Sequence, residues 1–385
     1  MIEEVHNLYA HCGTAVLDPR TRQPISFERL REVLPPSLAE LELSREPRYR
    51  LPEPVRELYA TYRPTPLARA ERFERAIGTE CEIYVKDEGR TPTGNHKANS
   101  AILIAYLCRR DGIETVVTET TGNWGLALAR ACSSFGVRTV CFIDAESDAQ
   151  RPDRSVLMRE AGAEVVVVPP DEAHGDLLTL SADAAIAHTR RMEGAVYIFG
   201  SVYNYFLTPQ TIIGAEAREQ LGDAYPDVVV GSCGGGANLL GTAGAFIVDH
   251  LESGRPVEVV CAESEHCPIV SGGVLGQYSI DTAGVYPMLE TYGLPGLLSD
   301  EYIGGLGSTI VAQPVAELHR RGLISPVTLT AKAATEAARI FQETEGCGVA
   351  LETGYQLAAA IRVARTNSGR RILLNISSRG SSRFA

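Results

Sequence analysis

The stretch "PTGNHKANSA" (residues 92–101) places one lysine, Lys97, between a Gly-Asn-His lead-in and a run of small residues. It follows the apolar segment "CEIYVKDE", which predicts a strand, and it opens a helix predicted over residues 95–110. A cation at a helix N-terminus is unfavourable because the helix dipole is positive there. The cost falls if the amine is neutral or bound as a Schiff base, and the same environment makes it nucleophilic. A lone lysine is more simply a surface charge, so the interpretation depends on its surroundings.

Around this stretch, apolar runs alternate with amphipathic helical segments. The predicted strands are "CEIYVKDE", "ETVVTE", "RTVCFID", "EVVVVP", "AVYIFG", "DVVVGSC", "VEVVCAES" and "RRILLNIS". Strands of this kind separated by helices indicate parallel sheets that are covered on both faces. The number of strands suits two sheets, so we predict an α/β fold with two three-layer domains and mostly parallel sheets.

The same pattern suggests domain boundaries. Residues 1–54 are rich in Pro, Arg and Glu and predict an irregular N-terminal arm. A smaller domain over residues 91–205 is expected to be inserted into a larger one, formed by residues 55–90 and 206–385. Residues 265–325 are rich in Gly, Ser and Tyr and only weakly periodic, which is typical of a mobile lid-like region in an enzyme.

Composition excludes several classes of function. The chain has 385 residues, 44% hydrophobic and 22% charged, with a net charge of −12, which argues against nucleic acid or an anionic membrane as the main partner. Nine scattered cysteines without a CxxC pair indicate buried free thiols in a reducing compartment. We recognise no transmembrane segment and no signal peptide, and we expect a cytoplasmic protein without a metal site.

The segment "DVVVGSCGGGANLLG" is the strongest candidate for a phosphate site. A buried strand is followed by Gly234, Gly235 and Gly236, and a helix begins near Asn238. Consecutive glycines let the backbone aim N–H groups at a ligand, and the helix start adds positive charge. The alternative is a glycine-rich turn without a ligand. A dinucleotide fingerprint is disfavoured because its third glycine position is Leu239.

Two further strand ends carry small polar residues. "TETTGNWGLALA" opens a helix with hydroxyl side chains, Gly122 and Asn123, which suits a carboxylate ligand; the alternative is an ordinary helix capped by Thr121. "RRILLNISSRG" ends a predicted strand with Ser377 and Ser378. Ligands bind outside the carboxyl ends of parallel strands, so we expect these segments to converge with Lys97. A phosphate cradle, a carboxylate loop and a reactive lysine together indicate pyridoxal 5′-phosphate.

The order of these segments resembles a known family. "RPTPL", "KDEGRTPTGNHKANSA", a Gly-Asn loop, "GGGAN", "EGCGVALETGYQLAAA" and "NISSRG" are similar to the fold-type II pyridoxal-phosphate enzymes. The resemblance is strongest to the second branch of the tryptophan synthase β-subunits. It extends from about residue 60 to the C-terminal segment.

The resemblance implies roles for particular residues. Lys97 matches the Schiff-base lysine and proton shuttle, and Glu119 lies where the family's nucleophile-activating glutamate is expected. Glu352 matches the acidic residue beside the cofactor and is the third residue expected to be catalytic. Ala237 replaces a serine that is usual in the family, which implies one phosphate donor fewer. The remaining implied positions are those near the cofactor (His96, Asn99, Glu352), the phosphate cradle (Gly234, Gly235, Gly236, Ala237, Asn238), the partner of the pyridine nitrogen (Ser377) and the substrate-carboxylate loop (Thr120, Thr121, Gly122, Asn123, Gly125).

The resemblance also implies a class of chemistry. A neutral serine beside the pyridine nitrogen makes a weaker electron sink than a carboxylate, which favours loss of a β-substituent over transamination. We therefore expect β-replacement on an L-serine-like amino acid through an aminoacrylate intermediate. The alternatives are β-elimination, as in a serine or threonine dehydratase or an ammonia-lyase, and threonine-synthase-like β,γ-replacement. A non-catalytic pyridoxal-phosphate-binding regulatory subunit is a third class.

Two loops depart from the family pattern. "ETTGNWG" is one residue shorter than the tryptophan synthase loop and resembles threonine synthases and dehydratases, so Glu119 either replaces the family's glutamate or is displaced. "GGLGSTIVAQP" (residues 304–314) lacks the Arg, Tyr and His that related proteins carry there. Both departures predict a changed substrate or nucleophile. We expect a homodimer acting on small molecules, and the resemblance leaves room for a partner α-subunit.

Overall fold

The computed structural model describes residues 2–171, 177–296, 298 and 303–379. Its strands are β1 (Glu4–His6), β2 (Arg48–Arg50), β3 (Leu67–Arg69), β4 (Glu82–Asp87), β5 (Thr115–Glu119), β6 (Arg138–Asp144), β7 (Glu164–Val168), β8 (Ala195–Tyr197), β9 (Val228–Ser232), β10 (Glu258–Ser264), β11 (Val274–Tyr278), β12 (Leu289–Gly293), β13 (Ile324–Leu329) and β14 (Arg371–Ile376).

The α-helices fall between most of these strands. They are α1 (Tyr9–Cys12), α2 (Phe27–Leu30), α3 (Pro36–Leu43), α4 (Glu53–Ala60), α5 (Glu71–Ile77), α6 (Ala98–Arg110), α7 (Asn123–Ser134), α8 (Ala145–Gln150), α9 (Pro152–Glu160), α10 (Leu177–Thr189), α11 (Asn204–Gln210), α12 (Ile212–Leu221), α13 (Ala237–Ser253), α14 (Gln313–Arg320), α15 (Ala331–Glu345) and α16 (Leu351–Thr366). Short 3₁₀ turns cover Glu88–Arg90 and Gly304–Leu306.

The larger sheet has six strands in the order β13-β10-β9-β14-β4-β3. All neighbouring pairs are parallel except β3 and β4. Strand β14 lies in the middle, where Ile372 is opposite Ile83 of β4 and Val228 of β9. Because β4, β14 and β9 run in the same direction, the segments that follow them leave the sheet at the same edge.

The smaller sheet has four strands in the order β7-β6-β5-β8, and all of its pairs are parallel. Val117 of β5 is opposite Val140 of β6 and Tyr197 of β8. Helices α7 and α10 pack against this sheet, whereas α13 and α16 pack against the larger one. The apolar, β-branched strands are buried, as expected for parallel sheets covered by helices.

The α/β prediction with mostly parallel sheets is confirmed, but two segments are more regular than expected. Residues 1–54 contain β1, β2 and three helices. The proposed lid over residues 265–325 contains the antiparallel hairpin β11–β12 and helix α14; residues 297 and 299–302 of that segment lie outside the described residues. The domain boundaries and the mobility of the lid stay predictions.

Two predictions from composition have structural counterparts. The nine cysteines are free thiols, and all but the half-buried Cys347 are buried. Among the described residues, no helix is both long enough and apolar enough to cross a membrane.

A buried carboxyl lies between α3 and α11. Glu42 Oε2 accepts a hydrogen bond from the backbone N–H of Tyr205 at 3.1 Å. Burial raises the pKa of Glu42 from 4.5 to about 8. Between these two values the unfolded chain binds fewer protons than the folded protein, so the stability contributed by protonated Glu42 is lost as the pH rises from about 5 to about 8.

We expect Glu42→Gln to flatten this part of the stability profile. Between pH 5 and pH 8 the variant should lose on the order of a few kcal/mol less stability than the wild type, because an amide does not ionise. Urea unfolding at pH 5 and pH 8 measures the effect. The same loss of stability with pH in both proteins would show that Glu42 does not carry it.

Candidate active site

A cavity opens at the edge where the strands of the larger sheet end. Its wall combines segments that follow β4, β9 and β14 with segments that follow β5 and β8 of the smaller sheet. The lining residues are Asn95, His96, Lys97, Asn123, Gly200, Ser201, Phe206, Ser232, Gly234, Gly235, Gly236, Ala237, Asn238, Gly305, Leu306, Glu352, Ser377 and Ser378. The structure therefore brings together all of the segments that were expected to converge with Lys97.

The glycine segment after β9 forms a cradle of backbone donors. The N–H groups of Gly234, Gly235, Gly236 and Ala237 have no hydrogen-bond acceptor among the described residues. Gly236 has φ +98°, a conformation that favours glycine, and it immediately precedes the first residue of α13. Free N–H groups at a helix N-terminus form an anion site, so this segment suits a phosphate.

The cradle is also packed tightly from behind. A Cβ added at Gly234 would lie 2.8 Å from the carbonyl oxygen of Gly305 and 2.9 Å from that of Leu306. Because both neighbours are backbone atoms, an alanine here must displace the cradle.

We expect Gly234→Ala to weaken the affinity for pyridoxal 5′-phosphate by about tenfold to a hundredfold, the usual cost of overpacking. Equilibrium dialysis of the cofactor measures the change. Gly296→Ala is the matched control, because a Cβ at Gly296 has no atom within 4 Å. Equal affinities for the two variants would contradict the role of the cradle.

One residue of the predicted phosphate site differs from the expectation. Asn238 lines the cavity, but its side chain is engaged elsewhere: Oδ1 accepts from the Ser232 N–H at 3.1 Å, and Nδ2 donates to Asn375 Oδ1 at 2.8 Å. Ala237 brings no hydroxyl, as noted from the sequence. Ser201 was missed by sequence reasoning; its hydroxyl packs against Gly235 in the same wall, and no local motif around β8 signals it.

Lys97 is the only lysine that lines this cavity. The sequence contains three lysines; Lys86 is buried in an ion pair with Glu216, and Lys332 is exposed. Lys97 is half-buried at the N-cap of α6. Burial lowers the pKa of its amine, while the carboxylates of Glu352 and Glu119 partly oppose that change. A neutral amine is nucleophilic, so the site suits a lysine that reacts with an aldehyde.

The helix that carries Lys97 is anchored by a buried ionic network. Arg63 of the "RPTPL" segment donates to Glu88 Oε2 at 2.6 Å and to Asn99 Oδ1 at 2.7 Å. Asn99 Nδ2 also donates to Glu88 Oε2, at 2.8 Å. Asn99 was expected beside the cofactor, but it does not line the cavity, because its side chain points back into this network behind α6.

His96 lines the cavity beside Lys97. Burial lowers the pKa of its imidazole to about 4, so the ring is neutral near pH 7. Its Nδ1 lies 2.9 Å from Gln210 Oε1. The backbone N–H of His96 donates to the carbonyl oxygen of Ser377 at 2.9 Å, which ties the Lys97 segment to the end of β14.

Glu352 and Ser377 occupy the opposite part of the wall. Glu352 lies in the first turn of α16, and its Oε1 accepts a hydrogen bond from the Gly305 N–H at 2.7 Å. Ser377 follows β14, and its hydroxyl lies 3.1 Å from that of Thr353. Thr353 was not predicted from the sequence, and Gly305 was noted only as part of the divergent loop over residues 304–314.

The loop after β5 is a capped helix start that reaches the cavity at one residue. Thr120 Oγ1 accepts from the N–H groups of Gly122 and Gly125, at 2.9 and 2.8 Å. Thr120 therefore performs the capping that had been considered for Thr121. Asn123 is the one residue of the predicted carboxylate set that lines the cavity, and its buried Oδ1 has no partner among the described residues.

The only tryptophan, Trp124, is part of the core beneath the site. Its indole N–H donates to Thr118 Oγ1 at 2.7 Å, and its ring packs edge-to-face on Phe206. Gly200 packs so closely against the indole that a Cβ there would collide with it. Both Gly200 and Phe206 line the cavity, so Trp124 supports the wall from behind.

Glu119 ends β5 and is buried near Lys97 without lining the cavity. Its Oε2 accepts a hydrogen bond from the hydroxyl of Tyr197. Burial raises the pKa of Glu119 to about 7, although the bond from Tyr197 and the charge of Lys97 both lower it. A carboxyl with this pKa is suited to proton transfer near neutral pH.

A lysine whose pKa is lowered, a cradle of free N–H groups and a neutral hydroxyl at a third strand end together suit pyridoxal phosphate. The chain belongs to the family described as pyridoxal-phosphate dependent enzyme, which it matches over residues 58–378. It is 39% identical over 367 residues to the tryptophan synthase beta chain 2 of Thermotoga maritima, which covers 91% of this chain and 86% of the relative. The chain is 35% identical over 385 residues to the tryptophan synthase beta chain 2 of Pyrococcus abyssi, and the match covers 94% of this chain and 88% of that relative.

Solved structures share the fold at lower identity. A fungal L-serine ammonia-lyase from Rhizomucor miehei matches with a TM-score of 0.65 and 18% identity, covering 82% of this chain and 93% of that one. A pyridoxal 5′-phosphate-dependent aspartate racemase matches with a TM-score of 0.66 and 19% identity, covering 86% and 95%. The resemblance drawn from the sequence motifs is confirmed: the chain is a tryptophan-synthase-β-like enzyme whose cofactor is pyridoxal phosphate.

Proposed function

We propose that the protein catalyses β-replacement on an L-serine-like amino acid, with a specificity for the amino acid or for the nucleophile that differs from that of the tryptophan synthase relatives. The observation that carries the proposal is the buried carboxyl of Glu119 near Lys97, which has a pKa of about 7. Replacement needs a base for the incoming nucleophile in addition to the lysine that acts on the amino acid.

Different residues in and behind the cavity wall would bind the cofactor, bind the substrate and transfer protons. The cradle at residues 234–237 would hold the phosphate, and Lys97 would hold the cofactor and move the proton at the amino acid's α-carbon. When bound, pyridoxal phosphate supplies an electron sink for bonds to that carbon. Asn123 and the start of α7 would hold the carboxylate of the substrate. Because its carboxyl lies behind the cavity wall, Glu119 would take the proton from the nucleophile by way of one water, while Tyr197 keeps that carboxyl oriented.

Ser377 supports loss of a β-substituent rather than transamination. Its hydroxyl is paired with that of Thr353, which is also a neutral group. A neutral partner for the pyridine nitrogen makes a weaker electron sink than a carboxylate would.

The test is a two-substrate screen. Purified enzyme is incubated with serine, threonine, phosphoserine or acetylserine, each with and without indole or a thiol, and products are identified by mass spectrometry. β-Replacement predicts an adduct of the amino acid and the nucleophile. Release of keto acid and ammonia at the same rate with and without nucleophile would reject it.

β-Elimination is the second candidate, and the loop after β5 favours it. The loop lacks one residue relative to tryptophan synthases, and only Asn123 of its predicted carboxylate set reaches the cavity. If elimination is the reaction, keto acid should form from serine or threonine without any acceptor. Phosphohomoserine, whose leaving group is on the γ-carbon, distinguishes the threonine-synthase-like reaction from β-elimination, because only that reaction converts it to product.

We also propose that the protein forms a homodimer and acts in the cytoplasm, as its resemblance implies. Light scattering of the purified chain measures its mass in solution. A complex with a second subunit would appear as a larger species after co-purification.

A further inference from the structure

His96 is held from one side by a buried glutamine. Its Nδ1 lies 2.9 Å from Oε1 of Gln210, the last residue of α11. Gln210 is fully buried, and its Nε2 lies 3.2 Å from the carbonyl oxygen of His96 and 2.5 Å from Ser100 Oγ. Gln210 therefore contacts both the ring and the backbone of the same histidine.

The hydrogen bonds decide which way the Gln210 amide points. The carbonyl oxygen of His96 can only accept, and the hydroxyl hydrogen of Ser100 is donated to the carbonyl oxygen of Phe206 at 2.6 Å. Both partners therefore need a donor, which only the NH₂ group of Gln210 provides. The amide oxygen must face the imidazole.

An oxygen that faces Nδ1 requires Nδ1 to carry the proton. The neutral ring then has a lone pair on Nε2. His96 lines the cavity, and Nε2 has no hydrogen-bond partner among the described residues. The cavity that holds the phosphate cradle thus also presents one acceptor, Nε2 of His96, on the same wall lining.

This lone pair has a consequence for the anion that binds there. A phosphate dianion and an imidazole lone pair repel each other unless a proton lies between them. The second pKa of a phosphate monoester is about 6, so the free phosphate is mostly a dianion at neutral pH. The shared proton must therefore be taken up from solvent when the phosphate binds. Lys97 and Glu88 are the charged groups that act on His96; Lys97 disfavours the extra proton and Glu88 favours it.

We propose that Gln210 is a positioning residue that fixes His96 as its Nδ1–H tautomer, so that His96 Nε2 and the phosphate in the cradle share one proton taken up on binding. The inference rests on the cradle assigned in the proposed function, and it does not depend on which amino acid reacts. Two experiments without amino-acid substrate test it.

The first experiment reads the tautomer directly. Protein labelled with ¹⁵N-histidine is studied by NMR without cofactor, and the His96 signals among eight histidines are identified by their loss in His96→Gln. We expect Nδ1 to be protonated and Nε2 to be free. Gln210→Met should lose this fixed tautomer, whereas Gln313→Met should keep it; Gln313 is equally buried but bonds only the carbonyls of Ala15 and Glu290. A protonated Nε2 in the wild type would overturn the proposal.

The second experiment measures the proton that accompanies the phosphate. The ligand is 4-deoxypyridoxine 5′-phosphate, which has no aldehyde and cannot react with Lys97. Trp124 supports the cavity wall, so its fluorescence reports binding. Above pH 7, uptake of one proton predicts an affinity that falls about tenfold per pH unit.

The variants complete the test. Gln210→Met should lose this pH dependence and bind about tenfold more weakly at pH 7, because a buried hydrogen bond is lost. Gln313→Met should match the wild type. If Gln210→Met keeps the wild-type slope, Gln210 does not set the proton of His96 and the proposal is wrong. A failure of the β-replacement screen would leave both readouts unchanged.

Discussion

Lys97→Ala should lower catalytic activity by about a thousandfold or more, because it removes both the amine that holds the cofactor and the group that moves the α-proton. The reason is structural: Lys86 is paired with Glu216, Lys332 lies on the surface, and neither lines the cavity. No other lysine can therefore substitute for Lys97. Steady-state rates with the best amino acid of the screen measure the loss.

The scarcity of lysine also makes a direct chemical test possible. Borohydride reduction of the protein with bound cofactor should add one phosphopyridoxyl group, which peptide mass spectrometry should place at Lys97 among three candidates. Lys332→Ala is the matched control and should keep both the label and the activity. A label at Lys86 or Lys332, or an unchanged rate in Lys97→Ala, would exclude the assignment.

Glu119→Gln should lower the rate of nucleophile addition by about a hundredfold, the typical contribution of a general base. The substitution keeps the size of the side chain and an oxygen for the Tyr197 hydroxyl, so the wall should remain intact. Loss of the β-substituent does not need Glu119, and keto-acid release should persist. The ratio of adduct to keto acid is therefore the decisive measurement.

The pH profile separates a base from a merely structural residue. Glu119 acts as a base only when ionised, so the rate of addition should rise with pH through its pKa of about 7, and this limb should vanish in Glu119→Gln. Tyr197→Phe removes a hydrogen bond that lowers the pKa of Glu119, and it should move the limb to higher pH. An unchanged limb in both variants would remove Glu119 from the mechanism.

The strands could be predicted because their signal is local. β6 was expected over residues 138–144 and spans Arg138–Asp144. β13 was missed because it lies at the sheet edge, where its sequence "ISPVTL" carries a proline and alternates with polar residues. The hairpin β11–β12 was missed because β11 is largely exposed and contains a glycine.

The same distinction holds for the site. The convergence of the cradle and Lys97 at one cavity could be predicted because backbone geometry and helix position are encoded within a few residues. The distant hydrogen-bond partners of the site residues could not be predicted. Tyr197 meets Glu119 across 78 positions, and Gln210 meets His96 across 114. No pattern within one segment indicates such pairs, since only the arrangement of the two sheets brings them together. Asn99 shows the converse: its segment was recognised, but packing behind α6 turned its side chain away from the cavity.

The central place of β14 has a consequence for how the protein is made. β14 pairs with β4 although Arg371 and Glu82 are 289 positions apart, and it is followed directly by Ser377 in the cavity wall. During synthesis, the strands of the larger sheet that precede β14 therefore keep open edges until β14 emerges from the ribosome. Such long-range parallel pairing forms slowly and leaves unpaired strands exposed to aggregation. The yield of folded enzyme should therefore depend on how long the edges of β4 and β9 stay unpaired before β14 is complete.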